Sequence, residues 1–249
     1  AVVMPVDPYT EISYFETIKT LEAVMKKSKA EVGLMGAVPS HPSTKYGYIL
    51  PGEKKEAYFE VQGFAEKPDV KKAEELFAQG ALWNCGVFCV KIGAMLSMAE
   101  KYGVPTDYKG MCEQYEKLPK ISFDYEVLEK AAKLAMVQYQ GFWKDLGTWD
   151  AFAEQMSTDC IGNVVLDDSC QNTQIINELQ APVVAMGTKD LVVVAAQDGI
   201  LITDKSQAAR VKEVTGSFIS RPMFEERRWG TLETLDDTKT DGVSTLTRK

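Results

Sequence analysis

The chain has 249 residues, 45% of them hydrophobic, with 28 basic against 36 acidic side chains and a net charge of −8. That length can bury a sizeable core as one large or two smaller domains, and no basic run is available to track a phosphate backbone, so nucleic acid is excluded as an expected partner. No apolar run nears the ~20 residues of a bilayer span and no signal-peptide pattern opens the chain, so no membrane partner and a cytoplasmic location are expected.

The opening "AVVMPVDPY" reads as a buried strand closed by a turn at Pro8. Ser13 and Glu16 then fit a capping box ahead of a helix whose Phe15, Ile18, Leu21, Val24 and Met25 keep helical spacing. "VGLMGAV" is the next strand, and strand, helix, strand in succession predicts a parallel sheet with covering helices. Residues 39–56 are turn-rich; "AYFEVQGFAEKP" is a strand leading to a helix that begins after Pro68 and closes at Gly80. "ALWNCGVFCV" is a further apolar strand, on which Cys85 and Cys89 share a face as two core thiols. Helices are expected near 92–102 and over "FDYEVLEKAAKLA".

From about residue 157 the texture changes to short apolar runs, "GNVVL", "TQII", "APVVAMG", "DLVVVAA" and "GILIT", separated by turn residues. Such spacing predicts a small all-β element of stacked coils, closed by a helix over "KSQAARVKEV". The expected domains are therefore 1–157, 158–220 and a linker with a hairpin over 221–249. Both termini read as cut, because the chain starts inside an apparent strand without Met and stops in an alternating "GVSTLTRK".

The chain holds no G-x-G-x-x-G, no P-loop and no nucleophile elbow. His41, the only histidine, lies in a Pro-rich loop with no orienting acid, and a solvated loop residue is the expected reading. Five cysteines show no CxxC pair, so neither a disulfide framework nor a zinc site is indicated. What remains are polar residues at strand ends: Asp7, Glu66, Lys67, Asn84 and Asp145. In open α/β sheets such positions converge on one crevice outside the carboxyl ends of the strands. Singly, each is more simply a turn, cap or solvated residue. Together they suit phosphoryl or nucleotidyl transfer. Two carboxylates can hold one Mg²⁺, a lysine can meet a sugar phosphate, and a glutamate and an asparagine can read sugar hydroxyls.

The segments "VVMPVDPYTE", "GAVPSHPSTKYGYI", "FAEKPD", "ALWNCGVF", "FDYEVLEKA", "FWKDLGTWDAF" and "APVVAMGTKDLVVVAAQDGILITDKSQAARVKEV" occur in an order and spacing that resemble the bacterial mannose-1-phosphate guanylyltransferases, or GDP-mannose pyrophosphorylases. The resemblance implies a Rossmann-like α/β nucleotidyltransferase sheet followed by a small β-rich, left-handed β-helix-like element. It implies transfer from GTP to α-D-mannose 1-phosphate, giving GDP-mannose and pyrophosphate with Mg²⁺ as cofactor, with a homo-oligomer among the expected assemblies. Asp7 and Asp145 resemble the metal-binding acids, and Lys67 joins them as a catalytic residue. Tyr46, Gly47, Glu66, Lys67, Asn84 and Asp124 resemble the substrate-binding set. Pro8, Lys45 and Cys85 depart from the family pattern, and the family's glycine-rich nucleotide loop is not among these residues, so the chain alone is expected to be inactive. The alternatives are another hexose-1-phosphate nucleotidyltransferase or a non-catalytic sugar-phosphate or nucleotide-sugar binding module.

Overall fold

The computed structural model describes residues 1–216, 223–240 and 243–248, and the chain divides into two units, Ala1–Lys144 and Asp145–Lys249.

In the first unit the strands are β1 (Val2–Val3), β2 (Pro8–Thr10), β3 (Val32–Ala37), β4 (Tyr48–Lys54), β5 (Phe59–Ala65), β6 (Leu82–Val90), β7 (Leu134–Tyr139) and β8 (Trp143–Asp145). Six of them form one sheet in the order β1-β6-β3-β7-β5-β4, while β2 pairs with β8, the strand that leads out of the unit. The sheet is mixed, not parallel. β3 and β7 run parallel, but β6 is antiparallel to both β1 and β3 and enters between them. The strand, helix, strand unit seen in the sequence therefore exists as a crossover over an inserted strand.

β3 and β7 are buried on both faces, which is why they read as continuous apolar runs. Their side chains alternate between two cores. Met35, Ala37, Ala135 and Val137 face a cluster with Tyr14, Leu21, Val24 and Met25 of α1 (Ile12–Ser28). Val32, Leu34, Leu134 and Met136 face the other side, against Met95 and Met98 of α3 (Ile92–Lys101) and Val127 and Leu128. Cys85 and Cys89 lie in the α1-side cluster as expected, and burial pushes both thiols up in pKa.

Local expectations fail where a tertiary partner displaces a local one. The capping box is absent: Glu11 occupies the N-cap without a side-chain bond, the Ser13 hydroxyl meets the Tyr139 hydroxyl at 3.1 Å, and Glu16 pairs with Lys19. β1 is not buried, because it is the edge strand of the sheet, and Val2 and Val3 are 45% and 56% exposed. The helix read over "FDYEVLEKAAKLA" is a single π turn, Asp124–Leu128. By contrast α2 (Val70–Ala78) starts where expected, with the Asp69 side chain accepting the Lys72 amide at 2.8 Å. α4 (Tyr108–Gln114) completes the unit.

The second unit begins with α5 (Trp149–Ala153) and continues in strands of three to six residues: β9 (Cys160–Gly162), β10 (Val164–Leu166), β11 (Gln174–Asn177), β12 (Val183–Ala185), β13 (Leu191–Ala196) and β14 (Gly199–Asp204). β11 pairs parallel with β9 and β13, and β10 pairs parallel with β12. Parallel neighbours joined by turns alone are stacked coils. Their interior holds Ile175, Ala185 and Val193, while Ile176, Val192 and Val194 face Trp149, Phe152 and Ala153. At one corner Gly162 adopts φ +87°, and a Cβ there would fall 1.9 Å from the Asn177 carbonyl. "KSQAARVKEV" splits into a 3₁₀ segment, Lys205–Arg210, and the short α6 (Val211–Thr215). The expected C-terminal hairpin is part of a three-stranded antiparallel sheet of β15 (Phe224–Arg227), β16 (Gly230–Thr240) and β17 (Val243–Arg248), and residues 221–222, 241–242 and 249 of the expected linker and hairpin lie outside the described residues. Among the described residues no helix is long and apolar enough to cross a membrane.

Candidate active site

Five of the residues singled out in the sequence meet at one place in the first unit. The turn after β5 carries Glu66 and Lys67, the start of β6 carries Asn84, the loop before β4 carries Gly47, and the π turn opens with Asp124. The Lys67 ammonium sits 2.9 Å from Glu66 Oε1, and the Asn84 amide donates to Asp124 Oδ1 at 3.0 Å. Gly47 ties the set together through its backbone, its carbonyl accepting the Asn84 amide N–H at 2.8 Å.

Gly47 is required for close approach and not for a turn. A Cβ at this position would lie 2.5 Å from Glu66 Oε2 and 3.4 Å from Asn84 Cβ. Asn84 is aimed by the irregularity in β6: the register against β3 shifts between Leu34 and Gly36, and Asn84 Oδ1 turns back to accept the Gly86 amide at 3.1 Å. Lys67 is held at φ +43°, a left-handed conformation rare for a lysine and further disfavoured by the proline that follows. A π turn and a left-handed non-glycine residue side by side are the kind of backbone departures that cluster at functional sites.

The electrostatics distinguish these groups. Glu66 has a side chain only 7% exposed, and burial raises its carboxyl above the usual range, opposed by Lys67 and reinforced by Asp124 and Glu129. Burial also raises Asp124, with Lys67 and Asn84 opposing. Lys67, half out in solvent, is raised chiefly by its bond to Glu66 and stays a cation. The result is a pair of penalised carboxyls beside one positive charge.

Beside this cluster stands an aromatic wall that the sequence did not announce. Trp83 packs against Tyr46 at 4.8 Å and Trp143 at 6.4 Å between ring centroids. Tyr46 thus meets the wall through its ring. His41, expected in solvent, is exposed but sets its ring edge-on to Trp83 at 5.2 Å. Nothing in the spacing of a lone histidine in a proline-rich loop could reveal that contact.

The two remaining acids are not in this cluster. Asp7 is an exposed residue of the first unit, between β1 and β2. Asp145 opens the second unit, where its Oδ1 accepts the Gly147 amide at 2.8 Å in a tight turn; Thr148, not Asp145, is the N-cap of α5. Among the described residues no group of three or more His, Cys, Asp or Glu side chains could hold a metal ion. Carboxylates are hard oxygen donors of the kind a divalent metal ion accepts.

Comparison with known proteins gives this arrangement a setting. Residues 1–160 match the model of a family described as nucleotidyl transferase, and residues 162–217 match a mannoseP isomerase/GMP-like beta-helix domain. A mannose-1-phosphate guanylyltransferase of Escherichia coli strain K12 is 30% identical over 83% of this chain and 51% of its own length. The mannose-1-phosphate guanylyltransferase ManC of Salmonella typhimurium strain LT2 is 29% identical over 86% of this chain and 51% of its own length. A crystal structure described as a mannose-1-phosphate geranyltransferase from Thermus thermophilus superposes with a TM-score of 0.67 at 30% identity, covering 86% of this chain and 68% of that one. The chain spans about half the length of the curated relatives it matches. With a family model covering well over half of its residues, the chain belongs to the nucleotidyl transferase family.

Proposed function

We propose that this chain carries the sugar-phosphate half of a mannose-1-phosphate guanylyltransferase site, working in the reaction of GTP with α-D-mannose 1-phosphate to give GDP-mannose and pyrophosphate. The observation that carries the reading is the meeting of Gly47, Glu66, Lys67, Asn84 and Asp124 at one sheet end. Glu66 and Asn84 are assigned the sugar hydroxyls, since a buried carboxylate and an amide discriminate hydroxyl positions. Asp124 orients Asn84 through the bond between them. Gly47, lacking a Cβ, lets the Glu66 carboxylate sit against its backbone, and Tyr46 with Trp83 forms the apolar wall beside the cluster. Lys67 supplies the point charge for the phosphate. A phosphate oxygen of the sugar attacks the α-phosphorus of GTP, the bond to the β-phosphate breaks, and pyrophosphate leaves. Such transfer depends on positioning and charge neutralisation and needs no histidine.

Asp7 and Asp145 are each assigned to a divalent cation, read as Mg²⁺, on the family resemblance and on their hard oxygen donors. When bound, that ion would neutralise charge on phosphate oxygens. Residues 1–157 are assigned to a catalytic domain and the coils of 158–220 to a separate one.

Calorimetry with mannose 1-phosphate and the 249-residue chain tests the binding half, with glucose 1-phosphate as the competing sugar. Saturable binding that favours mannose supports the reading; no binding of either sugar phosphate sinks it. In a chain extended to the length of its curated relatives, GTP plus mannose 1-phosphate should release pyrophosphate, and Asp145→Asn should cut turnover by about 10³-fold or more. Unaltered turnover would remove Asp145 from the metal role, and sugar-phosphate binding without pyrophosphate release would favour a binding module.

A further inference from the structure

Glu129 has no part in the assignments above. It is exposed, and in the sequence it is one acid among several in "DYEVLEKA". Its Oε1 nevertheless accepts the main-chain N–H of Glu66 at 3.2 Å, from 63 residues away in the chain. Its own main-chain N–H donates to the Asp124 carbonyl at 3.1 Å, the i→i+5 bond that closes the π turn.

Those two bonds explain why the segment is a π turn. In an α-helix, residues five apart stand roughly 140° apart around the axis, so two such side chains diverge. Closing the turn at five residues brings Asp124 and Glu129 to one side. From there Asp124 meets Asn84 and Glu129 meets the backbone of Glu66. The amide that Glu129 grips precedes the left-handed Lys67. A residue in that conformation persists only where its surroundings hold it. Glu129 also sets a third negative charge near Glu66 and Asp124, which disfavours their ionised forms. A carboxylate placed there is electrostatically unfavourable for the acids beside it, so its use lies in its geometry.

We propose that Glu129 is a positioning residue: by accepting the Glu66 N–H it fixes the Glu66–Lys67 main chain, and with it the direction of both side chains toward substrate. The functional part of this inference rests on the reading of the cluster as the sugar-phosphate site; the anchoring part does not.

Amide exchange measured by NMR on the 249-residue chain, with calorimetry on the same samples, separates the two. Glu129→Ala is expected to speed exchange at the Glu66 amide by about tenfold and to weaken mannose 1-phosphate by about tenfold. Glu129→Gln, which keeps an acceptor oxygen and removes the charge, is expected to restore both. A Glu66 amide that exchanges at the wild-type rate in Glu129→Ala overturns the anchor. So does an unprotected Glu66 amide in the wild-type chain, a result that needs no variant to fold. Faster exchange with unchanged affinity overturns the functional part while leaving the site reading intact. If the wild-type chain binds no sugar phosphate but the exchange pattern holds, the site reading fails and the anchor stands.

Discussion

Asn177 in the second unit and Glu66 in the first are both polar side chains shielded from solvent, yet their surroundings differ in kind. Asn177, 3% exposed, donates to the carbonyls of Asn163 and Ala181 at 2.8 Å each and accepts the Leu179 amide at 3.0 Å. Its donors and its acceptor are all engaged, so it fastens the corner of a coil. The Glu66 carboxylate has Lys67 as its described partner, suffers a burial penalty, and lies so close to the Gly47 backbone that a Cβ there would fall 2.5 Å from its Oε2. A saturated polar group is scaffold. One that is held in place and penalised as an anion is a candidate for chemistry.

That contrast can be broken by substitution. The largest expected effect is on binding: Glu66→Ala should weaken mannose 1-phosphate by ~100-fold, because hydrogen bonds to a charged acceptor contribute about 1.5–3 kcal/mol, with the melting temperature held or raised. Calorimetry beside thermal unfolding reads both; a large stability loss with retained affinity would make Glu66 scaffold after all. The counterpart is Asn177→Ala, which strands two carbonyls and an amide and should destabilise the second unit by about 3 kcal/mol while leaving sugar-phosphate affinity unchanged. Urea unfolding followed by Trp149 fluorescence checks it. Next, Gly47→Ala should leave the fold standing and cost about tenfold in affinity, since the new Cβ must displace the Glu66 carboxylate or its own loop. Equal affinity in that variant would mean that the close seating of Glu66 against Gly47 is not used in binding.

The smallest effect is a dependence of stability on pH. The folded-state pKa of Glu66 lies above its ordinary value of 4.5 because burial disfavours the anion. The folded chain therefore holds that proton more tightly than the unfolded chain does. The group's contribution to stability is fully present below the ordinary value and is lost as pH rises through the folded one. Glu66→Gln removes this loss, so the variant should gain stability relative to wild type as pH rises from the ordinary value of 4.5 through the raised folded-state value. Parallel denaturation curves at all pH values would show that Glu66 ionises in the fold without penalty.

Much of this was legible before any coordinates. The apolar run of β3, the helix after Pro68 and the short strands beyond residue 157 follow from periodicity and turn residues, and each stands close to its expected place, whereas β7 begins inside the helix expected over "FDYEVLEKAAKLA". Glu66, Lys67 and Asn84 could be picked out as strand-end polar residues. What could not be read were effects that need two distant segments at once. The Ser13 hydroxyl is claimed by Tyr139, β6 inserts between β1 and β3, and the π register at Asp124 is set by partners 40 and 63 residues away. A helical pattern in "DYEVLEKA" is the same on paper whether the turn closes at four residues or five. The left-handed Lys67 was equally hidden, since the following proline argues for an extended conformation there.

The central claim is that the Gly47, Glu66, Lys67, Asn84 and Asp124 cluster receives a sugar phosphate. An amide-shift titration of the 249-residue chain with mannose 1-phosphate tests it most directly. The account predicts saturable shifts at those five amides and at Tyr46, absent when Glu66→Ala is titrated and absent from the Asn177 corner. Saturable shifts confined to other surfaces, or none at a millimolar sugar phosphate, would contradict it.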